Sequence, residues 1–241
     1  MIDDHKKAVL FFSGGKDSLV LLHLFRPHWD KITVLWLNTG ATIPELQRQM
    51  DEIREVVPHF LEVRSDVTRS HIEKGYPCTI VRAEDIAALP DLRYQEPVVK
   101  TRSFVDCCKE NIWLPSWEAA IKTGATLFLR GTRRADKRAS PIGAEATIGP
   151  ITIWNPLFEW PDSAIWQYLQ EHDIPIPKYY KYGNSGITCY SCTAFPEHSH
   201  EVLAYLKDYA PNQGEELRSN FRKIHMMLKQ DFAVIEASAN G

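Results

Sequence analysis

Six consecutive residues, Ser13-Gly14-Gly15-Lys16-Asp17-Ser18, hold the densest chemistry in the chain. Glycines let a backbone approach an anion closely, and the free N–H groups of a following helical turn point at it. Lys16 adds a point charge, Asp17 can reach a metal ion or an amine, and Ser13 and Ser18 supply hydroxyls. The string is not the Walker form, whose glycines and lysine are spaced differently. The Gly-Gly pair alone is equally a turn with a Ser or Asp helix cap. A second constellation consists of Cys107-Cys108, then 80 intervening residues (109–188), then Cys189-x-x-Cys192. A C-x-x-C turn points both sulfurs to one side and can grip zinc or an iron–sulfur cluster. Neighbouring cysteines are awkward ligands for one tetrahedral zinc, whereas a cubane offers each a separate iron. Four-thiol zinc, and a buried Cys-Cys pair beside a redox dithiol, are the competing readings. A third group is the basic run from Arg130 to Arg138. In it Arg133, Arg134 and Arg138 suit bidentate contacts to phosphate or sulfate oxygens. A solvated basic loop, or a hold on a nucleic-acid backbone, are the alternatives.

These residues need elements to hold them. Ala8 to Phe12 is a continuous apolar run, the pattern of a buried strand, and Leu19 to Phe25 continues as a helix. Ile32 to Leu37 predicts a second strand ending in Asn38-Thr39-Gly40. Thr42 to Val57 is a helix with Pro44 in its first turn, and Phe60 to Val63 a third strand. Such alternation predicts an α/β fold with a doubly wound, mostly parallel sheet and helices on both faces. Ligands of such sheets sit beyond the carboxyl ends of the strands, where the Ser13 and Asn38-Thr39-Gly40 loops fall. Ser65 to Lys109, broken by Pro77, Pro90 and Pro97, reads as a helix-containing loop region over the mouth of the site. Further on, Pro115 to Thr123 predicts a helix, Thr126 to Arg130 and Ile151 to Trp154 strands, and Pro161-Asp162-Ser163 the start of a helix to about Leu169. The tail from about Pro196 is helical by its apolar spacing. The expected organisation is a domain over 1–195 and a helical extension over 196–241.

The Ser13 to Ser18 string resembles the PP-loop of the ATP pyrophosphatases, the superfamily that includes the thiouridine synthetases and the PAPS reductases. The two cysteine pairs resemble the [4Fe-4S] ligand set of the assimilatory APS reductases. Gly131-Thr132-Arg133-Arg134, Asn155-Pro156-Leu157 followed by Trp160 and the Asp162 to Tyr168 helix, and Gly186-Ile187-Thr188-Cys189 are further pieces similar to that family. The resemblance spans about residues 8 to 195. It implies an adenine nucleotide bound by residues 13–18, Asn38, Thr39, Gly40, Gly131 and Arg138. Lys16, Asp17, Arg133 and Arg134 would then be catalytic, and Cys107, Cys108, Cys189 and Cys192 would hold the cluster. Two departures stand out. Sulfonucleotide reductases carry a nucleophilic cysteine near the C-terminus, and no cysteine follows Cys192 here. Their phosphate loop is also usually degenerate, and here it is intact. Both favour ATP with Mg²⁺ over PAPS or APS, with pyrophosphate release in the service of sulfur transfer. That setting implies a sulfur donor such as a cysteine desulfurase, and a nucleic-acid acceptor. A true APS or PAPS reductase using another thiol, and a non-catalytic nucleotide-binding subunit with a structural cluster, are the alternatives.

Composition sets the remaining bounds. The 241 residues are 44% hydrophobic and 24% charged, with net charge −3, ordinary for a globular protein with no global attraction to polyanions. Met1 to Lys7 lacks a signal-peptide core and no apolar run approaches a membrane span, so the expected place is the cytoplasm and no membrane partner is expected. A homodimer is kept open. Cys78 stands outside the two pairs and reads as an unreactive thiol, or as one that carries sulfur or attacks a substrate. His23 reads as a packing or surface residue. The Trp and Tyr residues from Trp154 to Tyr182 read as core filling and cover for the thiols.

Overall fold

Strand β1 (Ala8–Phe11) is buried on both faces, which is why its residues are apolar without alternation. The computed structural model describes residues 1–81, 99–136, 142–183 and 186–240; Arg138, Pro90 and Pro97 lie outside these. β1 pairs in parallel with β2 (Ile32–Asn38) on one side and β6 (Leu127–Leu129) on the other, Ala8 lying opposite both Ile32 and Leu127. β3 (Phe60–Arg64) extends the sheet beyond β2, and β8 (Ile151–Trp154) extends it beyond β6. An antiparallel edge strand, β7 (Glu145–Ile148), completes the order β3-β2-β1-β6-β8-β7. The order reverses between β1 and β6, so the crevice beyond their carboxyl ends is the switch point of the sheet.

Helices cover both faces, as expected. On one face Leu10, Val34, Trp36 and Leu129 pack with α1 (Lys16–Leu24), α2 (Pro44–Val56) and α6 (Asp162–Glu171) through Leu21, Leu46, Met50 and Ile165. On the other, Val9, Leu35, Phe128 and Ile153 pack against α5 (Leu114–Lys122) through Ala120. Each fully buried aliphatic side chain here contributes roughly 1.5–3 kcal/mol. α7 (Pro196–Tyr209) and α8 (Pro211–Asn240) follow, and Tyr205, Leu206 and Leu217 join the first of these layers.

The described parts of the region from Ser65 to Lys109, residues 65–81 and 99–109, hold regular elements around Pro77. They include α3 (Val67–Lys74), capped by Asp66, and a short parallel pair, β4 (Tyr76–Pro77) with β5 (Thr101–Arg102). α4 (Phe104–Cys108) then runs through one π turn (Lys109–Trp113) into α5. Pro115 lies inside this continuous run and has no N–H for the Asn111 carbonyl four residues back, which Ser65 Oγ satisfies instead at 2.8 Å. The predicted helix therefore starts earlier than its proline suggests, and the Cys107-Cys108 pair sits on helix rather than loop.

Candidate functional site

The turn after β1 delivers Gly14 with φ +77°, the left-handed region that glycine tolerates. A Cβ at Gly14 would also lie 2.2 Å from Leu46 Cδ1. α1 begins at Lys16, so its first N–H groups face the strand ends. Ser18 Oγ donates to the Gly15 carbonyl at 2.8 Å and stands 3.3 Å from Ser13 Oγ, closing the loop on itself.

Lys16 is 4% exposed, and its ammonium meets two carboxylates: Asp17 Oδ1 at 3.0 Å and Oδ2 at 2.9 Å, and Asp162 Oδ1 at 3.1 Å. Arg133, equally buried, arrives from the turn after β6. Its Nη2 meets Asp162 Oδ1 at 2.7 Å, and its Nε stands 2.7 Å from Asp17 Oδ1, an ion pair whose N–H is out of line for a hydrogen bond. Asp136 accepts the Arg133 backbone N–H at 2.9 Å and fixes the turn. Burial pushes the Asp162 carboxyl up, but Lys16 and Arg133 outweigh it and hold the group below the usual carboxylate range. Gly131 permits this approach, since a Cβ there would lie 3.2 Å from the Asp17 backbone carbon. Two cations from the turns after β1 and β6 thus converge at the switch point. Arg134, by contrast, is exposed and pairs with Glu159 through Nε at 3.0 Å, away from this network.

Tyr179 and Tyr180 do more than fill the core. Tyr180 Oη accepts the Lys16 backbone N–H at 2.9 Å, and Tyr179 Oη donates to the Gly14 carbonyl at 3.3 Å. Their hydroxyls reach the glycine loop, while Tyr179 lies in the core and Trp154, Trp160, Trp166 and Tyr168 pack against it, the core filling expected of this stretch. Asp162, expected only as part of a helix start, and Tyr180 are the site residues that sequence reading missed. The acid in Pro161-Asp162-Ser163 was the available signal.

After β2, Asn38 Oδ1 accepts the Gly40 N–H at 3.0 Å and Thr42 Oγ1 at 3.1 Å, making a tight turn at the strand end. Thr39 is wholly buried, and its hydroxyl bonds the Cys189 thiol. The Tyr190 N–H donates to the Ala41 carbonyl at 3.0 Å, so the C-x-x-C turn is tied to the loop after β2. Burial pushes the Cys189 thiol far up; Thr39 offsets part of this, and Cys192, Cys108 and Cys107 add to it. The four thiols therefore lie within electrostatic reach of one another, though far apart in sequence.

Cys107 has a polar shell that its sequence neighbours do not announce. Arg102 Nη2 lies 3.2 Å from its Sγ and also donates to Ser70 Oγ at 2.8 Å, while Nη1 meets Glu110 Oε2 at 3.0 Å. His71 Nε2 stands 3.5 Å from the same sulfur, and Asn111 Nδ2 donates to the Cys107 carbonyl at 2.9 Å. Burial pushes the Cys107 thiol up to about 11, against the pull of Arg102. Burial, then Arg102, pushes His71 down to about 4, so its ring is neutral near pH 7. Among the described residues no three His, Cys, Asp or Glu side chains group around a single ion.

A doubly wound sheet with a glycine turn and two buried cations at its switch point belongs to the class of α/β proteins that seat a phosphorylated ligand beyond the strand ends. The family model for the phosphoadenosine phosphosulfate reductase domain matches residues 7–195, and the chain belongs to that family of sulfur-metabolism enzymes. An adenosine 5'-phosphosulfate reductase of Neisseria meningitidis is 24% identical over 197 residues, covering 78% of this chain and 72% of the relative. Phosphoadenosine 5'-phosphosulfate reductases of Xanthomonas euvesicatoria and Xanthomonas axonopodis are 29% and 28% identical over 172 residues, covering 70% of this chain and 64% of each relative. No helix among the described residues is long and apolar enough to cross a membrane.

Proposed function

We propose that the protein is an ATP-using member of this family that activates an acceptor for sulfur transfer. The observation that supports it is the convergence of the Lys16 ammonium and the Arg133 guanidinium on the Asp17 and Asp162 carboxylates beside Ser13 to Ser18. In this reading the triphosphate lies over the loop, Lys16 and Arg133 neutralise phosphate oxygens, and Asp17 faces the accompanying Mg²⁺. Asn38, Thr39 and Gly40 border the nucleotide. An acceptor oxygen, on a nucleic acid for instance, attacks the α-phosphorus. The bond from that phosphorus to the β-phosphate bridge breaks, and pyrophosphate leaves with the metal. The step is positioning and charge neutralisation, which buried cations supply with little reorganisation. The terminal sulfur of a donor persulfide, such as that of a cysteine desulfurase, then attacks the activated carbon, and AMP leaves with the acceptor's oxygen. A second thiol attacks the donor's own sulfur, breaking the S–S bond and leaving donor and thiol as a disulfide. Cys107, Cys108, Cys189 and Cys192 would hold a [4Fe-4S] cluster, which when bound supplies an electron or sulfur relay beside the nucleotide. Thr39 and Arg102 orient the thiols for it.

The names of the relatives favour a second reading, in which a thiol attacks the sulfur of APS or PAPS. The S–O bond to the nucleotide then breaks, and a second thiol releases sulfite. Cys78 or a partner's thiol would make the attack. One experiment separates the two readings: anaerobically purified protein is given ATP·Mg²⁺ with bulk RNA or DNA, or APS or PAPS with a dithiol. The ATP reading expects pyrophosphate that falls by about 100-fold or more in Lys16→Ala. Sulfite without pyrophosphate overturns it in favour of reduction.

A further inference from the structure

Gly14 and Gly15 give the loop after β1 little stiffness of its own, because glycine has the most conformational freedom to lose. What fixes the loop arrives from 164 residues further along the chain. The helical turn Lys178–Lys181 lays two adjacent phenols on it. Tyr179, 3% exposed, donates to the Gly14 carbonyl at 3.3 Å, and Tyr180 Oη accepts the Lys16 N–H at 2.9 Å. The two hydroxyls also stand within hydrogen-bonding reach of one another, with their ring centroids 4.6 Å apart. When Tyr180 donates to Tyr179, every proton in the series has an acceptor, from the Lys16 N–H through both phenols to the Gly14 carbonyl. Gly15 makes room for this, since a Cβ there would lie 3.2 Å from Tyr180 Oη. The turn that carries the phenols is anchored in its own right. Glu45 of α2 accepts the Lys178 N–H at 2.8 Å and the Tyr205 hydroxyl at 3.0 Å, and Trp166 lies edge-on to Tyr180 at 5.2 Å.

We propose that Tyr179 and Tyr180 act as one bracket that sets the glycine loop in the conformation that takes a phosphorylated ligand. Both are positioning residues that act through the backbone of Gly14 to Lys16, and their role rests on the reading of this loop as a phosphate site. A hydrogen-bonded series strengthens its members, so breaking any link weakens the whole. A Gly-Gly loop without its bracket has to be ordered by the ligand, and that ordering is lost from the affinity. Two other roles for the phenols differ in sign or in pattern. A direct donor to the ligand would make Tyr180 matter alone. A plug on the Lys16 N–H would make its removal an advantage.

The test is a double-mutant cycle on the full chain, read by calorimetric binding of inorganic pyrophosphate in EDTA and by amide exchange over residues 13–18. Tyr179→Phe and Tyr180→Phe should each weaken pyrophosphate binding by about fivefold. The double variant should lose about fivefold as well, not the product of the two. Without ligand, exchange over 13–18 should quicken in all three variants. With saturating pyrophosphate it should be equally slow in all four proteins, a rescue that general loosening of the fold would not show. Circular dichroism checks that the four are equally folded. A loss confined to Tyr180→Phe overturns the bracket in favour of direct contact, and tighter binding overturns it in favour of a plug. Losses that multiply, or exchange that ignores the substitutions, overturn it too, as does exchange that stays fast at saturation. A wild type that binds no pyrophosphate overturns the phosphate site itself and this role with it.

Discussion

At the scale of single residues, the least expected participant is Asp162, which pairs with both buried cations and, in the proposed reading, takes the place of a phosphate oxygen. Its carboxylate accepts from Lys16 Nζ at 3.1 Å and pairs with Arg133 Nη2 at 2.7 Å. The two buried cations are thereby held in place without ligand, and an incoming anion must compete with that carboxylate. Asp162→Asn keeps the shape and removes the competing charge. Since the Asp162 side chain is 60% exposed, its pairs are screened and the gain is modest. Inorganic pyrophosphate, titrated calorimetrically in EDTA, should bind about fivefold tighter to Asp162→Asn than to wild type. Weaker binding would mean that the carboxylate acts with the ligand rather than against it. Such a role is invisible in sequence, because it depends on residues 146 positions apart meeting (Lys16 and Asp162). The same holds for Arg102, whose contact with Cys107 depends on β5 and α4 being folded, and for Tyr180. The glycine loop and the cysteine pairs were legible because their chemistry is written in adjacent residues.

Elements differ in the same way. β1, β2, β6 and β8 are interior strands, so their residues are mostly apolar and stand out from their surroundings, whereas β3 is a parallel edge strand that carries Glu62 and Arg64 among its apolar residues. β7 is an edge strand with three of its four residues exposed, which leaves no apolar pattern to read. β4 and β5 are two residues each and depend on Gly75, where a Cβ would lie 2.9 Å from the Lys100 carbonyl. The α1–α6 contact is legible as two apolar faces, but its polar clamp is not: His23 Nδ1 lies 2.8 Å from Tyr168 Oη, and the His172 ring is 4.8 Å away. Burial, then His172 and Arg26, lowers the His23 pKa from its ordinary 6.5. A histidine less protonated when folded contributes fully above the unfolded value, and that contribution is lost as pH falls through and below it. The clamp joins the helix that begins at Lys16 to the one that begins at Asp162, so acid loosens the frame of the cation pair. Urea midpoints at about pH 7.5 and about pH 5.5 should fall less in His23→Gln than in wild type. Equal falls would assign the acid sensitivity to other groups.

For the whole molecule, the four thiols offer a cross-link that the sheet does not. Cys107-Cys108 lies on α4 and Cys189-x-x-Cys192 before α7, with 80 residues between (109–188), including β6, β7, β8 and α6. A group held by all four closes that span in the unfolded chain, as a disulfide does, and chain entropy puts the stabilisation on the order of 4 kcal/mol. For a domain of this size that corresponds to a melting temperature higher by about 10 °C. The sign follows from the thiols themselves. Cys107 and Cys189 are pushed up chiefly by burial, with neighbouring thiols adding to it and Arg102 offsetting only part of it at Cys107, so without a metal group these sulfurs are protonated near pH 7. Binding a cluster releases those protons and ties binding to folding. Anaerobically purified protein, melted before and after iron chelation, should lose about 10 °C, with iron and sulfide leaving together. Cys107→Ser and Cys189→Ser should melt near the chelated temperature and respond little to chelator, since each removes one end of the clip. A melting temperature that ignores chelation, or loss confined to one cysteine pair, would mean that the pairs do not share one group. The Thr39 bond to Cys189 would then serve only to brace the loop after β2.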